Sequence, residues 1–247
     1  MKRLKKLARI MSVPLYARAL LEFGVPAGSE NDKFLRGRNF MTIADVGANR
    51  GQFLLSAKRN CPGAAVMSFE PVPSAAAKLE KLAARLGNVQ VHRVALGAAA
   101  GSAAICVPSR NDESSMALEL DGNTFEVPVR TLDDVLYGRT LARPALLKID
   151  VQGYEMSVLS GAERVLPLFD DLYVEVTFAQ VGPRHSPAAD VVAWLHERSF
   201  ELMGVYNPAA HGKPWHACDM HFRRMARDAV AAKEPKGVVF GPRAVAG

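Results

Sequence analysis

Cysteine is scarce in this chain. Cys61, Cys106 and Cys218 are odd in number, far apart and without a C-x-x-C pair, which argues against a disulfide framework or a zinc knuckle and suits a reducing cytosol. No apolar run approaches the roughly 18 residues of a membrane-crossing helix. A mean hydropathy of +0.02 with 49% hydrophobic residues describes an ordinary globular chain. Aromatic residues make up only 7%, and none is interleaved with basic residues in the manner of an RNA-binding sheet. Nucleic acid is therefore not expected as a partner, despite a formal charge of +6 and a pI near 9.3. Internal repeats are also missing.

The 247 residues suit one sizeable core rather than two. Much of the positive charge sits at the start, in Lys2, Arg3, Lys5, Lys6 and Arg9, while Leu4, Leu7, Ala8 and Met11 fall on one face of a helix. Residues 1–40 read as a basic helical segment lying against a domain that spans 41–227. The same pattern permits a peripheral contact with the inner face of a membrane, which leaves the expected location cytoplasmic with that one option. A secretory signal fits less well, because Ser12 and Pro14 interrupt the run that ends at Ala17-Arg18-Ala19. Residues 228–247, rich in charge and glycine, read as a poorly ordered tail.

From Thr42 onward short apolar runs alternate with helical segments, the pattern of a mostly parallel sheet covered on both faces. Strands are expected over Thr42 to Val46, Ala65 to Phe69, Val89 to Val94, Ala145 to Ile149 and Leu172 to Val176. Helices are expected over Gln52 to Arg59, Ser74 to Arg85 with Ser74 as N-cap, Leu132 to Leu136, and Glu155 to Leu166. Ser102 to Val107 and Thr124 to Val129 read as a hairpin inserted at about 98–129, its polar tip running from Ser109 to Asn123. Then come a helix over Pro187 to Arg198, a strand over Phe200 to Val205 and a closing strand over Asp219 to Arg223.

The informative stretch is Asp45-Val46-Gly47-Ala48-Asn49-Arg50-Gly51-Gln52-Phe53, followed by a second strand ending in Phe69-Glu70-Pro71. A strand, a turn of small residues and a helix start let the main chain approach a ligand closely. A carboxylate at the end of the neighbouring strand can then accept both hydroxyl protons of a ribose. A dinucleotide fingerprint would need glycines where Asn49 and Gln52 stand, which weakens an NAD-dependent oxidoreductase. The D-x-G-x-N-x-G turn suits S-adenosylmethionine instead, a nucleoside without phosphate whose amino-acid tail needs polar partners.

Five motifs in order carry a family resemblance over most of the chain. They are the Asp45 to Phe53 turn, Phe69-Glu70-Pro71, Val94 to Gly97, Val129 to Asp134, and Leu147-Lys148-Ile149-Asp150-Val151-Gln152-Gly153-Tyr154-Glu155. The series resembles the FkbM-type S-adenosylmethionine-dependent methyltransferases. The resemblance implies a class I, Rossmann-like three-layer α/β sandwich, with a seven-stranded and mostly parallel sheet whose last strand is antiparallel. It also implies O-methylation of a hydroxyl on a sugar, glycan, lipid or other small molecule. The family's Asp-Val-Glu-Gly motif has Gln152 here in place of its glutamate.

On this reading Glu70 binds the ribose, Gly47, Asn49 and Gly51 form the turn around the donor, and Asp45 supports its ammonium or the loop amides. Ala95 and Leu96 resemble the adenine wall, with Phe53 and Pro71 as further lining. Asp150, at the carboxyl end of the fourth strand, is the first candidate to orient or deprotonate an acceptor hydroxyl. Glu175 at the same edge is the second, and His185 in the loop that follows is the favoured histidine among several without ligand spacing. A divalent metal between Asp150 and Glu175 is conceivable but not expected, because no third ligand is nearby in sequence. A nucleoside-binding homologue without turnover is the remaining alternative.

Overall fold

The computed structural model describes residues 2–108, 122–178, 187–209 and 217–225. The chain opens with helices α1 (Lys2–Met11), α2 (Pro14–Phe23) and the short α3 (Asp32–Leu35). Strand β1 (Thr42–Val46), α4 (Gln52–Asn60), β2 (Ala65–Phe69), α5 (Pro73–Leu86) and β3 (Val89–His92) then alternate. A small excursion follows in β4 (Ala95–Leu96), β5 (Gly101–Pro108) and β6 (Gly122–Arg130), leading to α6 (Leu132–Val135). The second half runs β7 (Ala145–Ile149), α7 (Glu155–Ser160), β8 (Asp171–Thr177), α8 (Ala188–His196), β9 (Phe200–Ala209) and β10 (Ala217–Arg224).

Seven strands form the main sheet in the order β3-β2-β1-β7-β8-β10-β9. Strands β1, β2, β3, β7 and β8 pair in parallel, and β10 is antiparallel to both of its neighbours. This is the α/β sandwich with an antiparallel last strand that the resemblance implied. The sheet is apolar on both faces, so β1 and β7 are buried along their whole length. Ile43, Val66 and Leu146 pack toward Tyr16, Phe34, Leu54 and Leu79 on one side. Ala44, Val46 and Leu147 pack toward Leu132, Val158 and Leu195 on the other. The result is two helical layers around one sheet.

Several expected boundaries moved. The third strand stops at His92, whose carbonyl accepts the Glu70 N–H at 3.0 Å. Ala95 and Leu96 leave the main sheet and pair with β6 in a separate three-stranded sheet, ordered β4-β6-β5. The expected hairpin therefore supplies two strands of a three-stranded sheet, and its tip lies outside the described residues. Helix α5 begins one residue early, with Val72 as N-cap and Pro73 in its first turn; Ser74 is inside the helix. Helix α7 ends at Ser160, far short of Leu166, because the Asp133 carboxylate accepts the Arg164 and Val165 N–H groups at 3.0 Å and draws the chain into a turn.

The N-terminal segment does lie against the domain, but by a different face from the one its pattern suggested. Ile10 is buried, whereas Leu4, Leu7 and Met11 are exposed. A buried carboxylate, Asp32, ties the segment down by accepting hydrogen bonds from Tyr16, Arg59 (2.6 Å) and Asn60 (2.9 Å). No helix among the described residues is long and apolar enough to cross a membrane.

Candidate functional site

The carboxyl ends of β1, β2, β7 and β8 open onto a cavity of about 610 Å³. That size falls among ligand pockets, which span about 300 to 1,000 Å³, and its place at the carboxyl edge is where open α/β sheets hold ligands. Of the expected donor residues, Gly47, Asn49, Phe53, Glu70, Pro71, Ala95 and Leu96 all line it. Asp150 and Glu175 line it as well.

Glu70 is fixed at both oxygens. Oε2 accepts the Asn49 N–H and Oε1 the Val72 N–H, each at 2.8 Å. Burial raises its pKa above the ordinary carboxylate value, and these two N–H bonds oppose the rise. Each oxygen keeps a lone pair for a hydroxyl donor from the cavity. Gly47 has φ +75, and a Cβ there would stand 1.8 Å from the Asp150 carbonyl oxygen. The turn after β1 and the end of β7 thus touch at a point that no side chain could occupy.

Two expected residues do not reach the cavity. Gly51 has φ +97 and turns toward α5, where a Cβ would meet Leu82 at 2.7 Å, so it serves helix packing. Asp45 is completely buried, with Oδ1 at 3.0 Å from Lys148 Nζ. The two are register partners across β1 and β7. Lys148 also lies 3.6 Å from the Asp150 carboxylate and donates to the Gly47 carbonyl at 3.1 Å. Burial alone would lower the Lys148 pKa; Asp45 and Asp150 outweigh it and hold it above the ordinary lysine value.

At the other end the acidic groups converge. The Gln152 amide donates to Asp150 at 2.9 Å and to Glu175 at 2.8 Å, bridging the two candidates from a left-handed backbone with φ +54. Burial, with the charges of Asp150 and Asp219, pushes Glu175 up to about 9. Burial likewise pushes Asp219 up to about 6, although it accepts hydrogen bonds from Asn207 at 2.7 Å and Tyr173 at 3.0 Å. A glutamate at position 152 would add charge to this group, whereas the amide offers a donor to each side.

Sequence reasoning missed Lys148, Tyr173, Asn207 and Asp219. Lys148 and Asp219 did leave a signal, as charged residues in the middle of otherwise buried strands. His185 lies outside the described residues. His221 is in a different place, buried between Asp171 and Arg38. Among the described residues no group of three or more metal-ligating side chains could hold an ion.

A family model described as the Methyltransferase FkbM domain matches residues 45–202. The chain belongs to this family. Known FkbM-type relatives include the 31-O-demethyl-FK506 methyltransferase FkbM of Streptomyces tacrolimicus, 30% identical over 70% of this chain and 78% of that protein. The 2-O-methyltransferase NoeI of Sinorhizobium fredii (strain NBRC 101917 / NGR234) is 26% identical over 69% of this chain and 76% of its own length. Methyltransferase 1 of Beauveria bassiana (strain ARSEF 2860) is 30% identical over 54% of this chain, which spans 64% of that relative. Membership of the FkbM family makes the chain an S-adenosylmethionine-dependent methyltransferase by class.

Proposed function

We propose that the cavity takes S-adenosylmethionine at its Glu70 end and a hydroxylated small molecule or glycan at its Asp150 end, and that the product is a methyl ether. The observation that carries this reading is the continuity of one cavity from Glu70, Pro71, Ala95 and Leu96 to Asp150, Glu175 and Asp219. The first end fits a nucleoside, with an anchored carboxylate for ribose hydroxyls and an apolar wall for a ring. Two relatives whose names specify O-methylation support the choice of oxygen.

S-adenosylmethionine supplies a methyl on a sulfonium, already a good leaving group, so the chain's own task is to align an acceptor hydroxyl and receive its proton. Lys148 lies 3.6 Å from Asp150, whose carboxylate accepts a hydrogen bond from the acceptor hydroxyl and then its proton. Glu175, protonated at neutral pH, donates to a neighbouring acceptor oxygen. A polar, uncharged acceptor suits this end better than an anionic one, because the carboxylates would repel a negative group.

Calorimetric titration with S-adenosylhomocysteine tests the donor end. Glu70→Ala is expected to weaken binding by at least tenfold, about 1.4 kcal/mol, while NAD does not bind. Wild-type protein that is folded yet binds no S-adenosylhomocysteine would sink the reading. Methyl transfer to a panel of hydroxylated acceptors then separates an enzyme from a homologue that binds without turnover.

A further inference from the structure

Helix α1 docks on the domain the wrong way round for an ordinary amphipathic surface helix. Five of its ten residues are basic and none is acidic. Two of the basic groups face the domain: Lys6 Nζ is 3.2 Å from the Glu30 carboxylate, and Arg9 is 3.8 Å from Asp32. Ile10 is the residue that enters the core, beside Tyr16 and Phe34. The apolar stripe of Leu4, Leu7 and Met11, spaced i, i+3 and i+7, is turned outward with 75%, 47% and 47% exposure. The next helix, α2, adds Leu21 at 75%. An exposed stripe of large apolar side chains on a helix with no acidic residue matches the charge and polarity of an anionic bilayer surface.

We propose that α1 seats on an anionic phospholipid surface, with Leu4, Leu7 and Met11 entering the boundary between headgroups and acyl chains. The cationic charge of the segment then meets the headgroup phosphates. Lys6 and Glu30 also line the rim of the site cavity. Seating α1 therefore holds the cavity about one helix diameter, ~10 Å, from the lipid surface, within reach of an acceptor with a polar head and a lipid anchor. This goes beyond the methyl-transfer reading and stands on a separate surface.

The test is co-sedimentation of the full chain with vesicles of phosphatidylcholine alone and of equimolar phosphatidylcholine and phosphatidylglycerol. Binding is expected to the second kind, falling as salt is raised, and to weaken at least about tenfold in Leu4→Glu/Leu7→Glu. Both substituted positions are exposed, so the variant keeps its fold and its S-adenosylhomocysteine affinity within about twofold. Reading donor binding on the same preparations separates a failure at the cavity from a failure at α1. Absence of binding to the anionic vesicles would overturn the proposal, as would equal binding by the variant. A monomer–dimer equilibrium that the variant abolishes would overturn it too, by assigning the stripe to a second copy.

Discussion

Glu175 and Asp219 lie in neighbouring antiparallel strands and are direct register partners. Like charges directly opposite one another in a sheet repel, and here burial adds to the effect. Glu175 is pushed up to about 9 from an ordinary 4.5, by burial first and then by Asp150 and Asp219. The native state therefore holds a proton over a window in which the unfolded chain has lost it. Its stabilising effect is full below the unfolded value and is lost as pH rises through about 9. Wild-type stability, followed by urea unfolding, should fall between about pH 5 and pH 8 more steeply than that of Glu175→Gln, the gap reaching up to roughly 4 kcal/mol. Parallel curves would show that Glu175 is ionised in the folded protein. Gly47 gives a sharper expectation: with φ +75 and a Cβ only 1.8 Å from the Asp150 carbonyl, Gly47→Ala should lose about 3 kcal/mol or more in the same assay. Glu70, Gly47 and Asp150 were legible in the sequence because motif and strand end coincide. Lys148 was in view in its motif, but its meaning depends on Asp45, which only strand pairing sets beside it.

The elements from β1 to β8 were largely legible, since apolar runs and helical periods report burial directly. The N-terminal helices were less so. Their pattern pointed to Leu4, Leu7 and Met11 as the packing face, yet the segment is held by Ile10 and by polar contacts to Asp32. Asp32 gathers Tyr16 from α2 and Arg59 and Asn60 from α4, so one carboxylate clamps two layers of chain. Replacing it with alanine leaves the buried Tyr16 hydroxyl, and the more exposed Arg59 and Asn60, without their acceptor, which costs about 2 kcal/mol. Asp32→Ala should show that loss in thermal unfolding, and limited proteolysis should cut within residues 2–40 before the sheet. Cleavage no faster than in wild type would mean that apolar contacts alone hold the segment.

For the molecule as a whole, the decisive feature is the position of β10. It is the last strand in sequence among the described residues but lies inside the sheet, hydrogen-bonded to β8 on one side and β9 on the other. It carries Phe222 into the core and Asp219 into the cavity. A chain ending at Ala209 leaves the edges of both neighbours unpaired and the core open, so it should fail to give a cooperative unfolding transition by circular dichroism. A cooperative transition in that truncated chain would show that β10 is an accessory strand. Periodicity determined a mostly parallel α/β sheet, and five short motifs determined, by resemblance, the donor turn and the family, because each motif is written in contiguous residues whose spacing matches strand, turn and helix. Tertiary structure alone decided which face of α1 docks, which carboxyl keeps its proton, and how Lys148, Asp150, Gln152, Glu175 and Asp219 meet. Those outcomes depend on burial and on charges brought together from distant strands, since Asp45, Glu175 and Asp219 lie far in sequence from the stretch Lys148 to Gln152 that they meet.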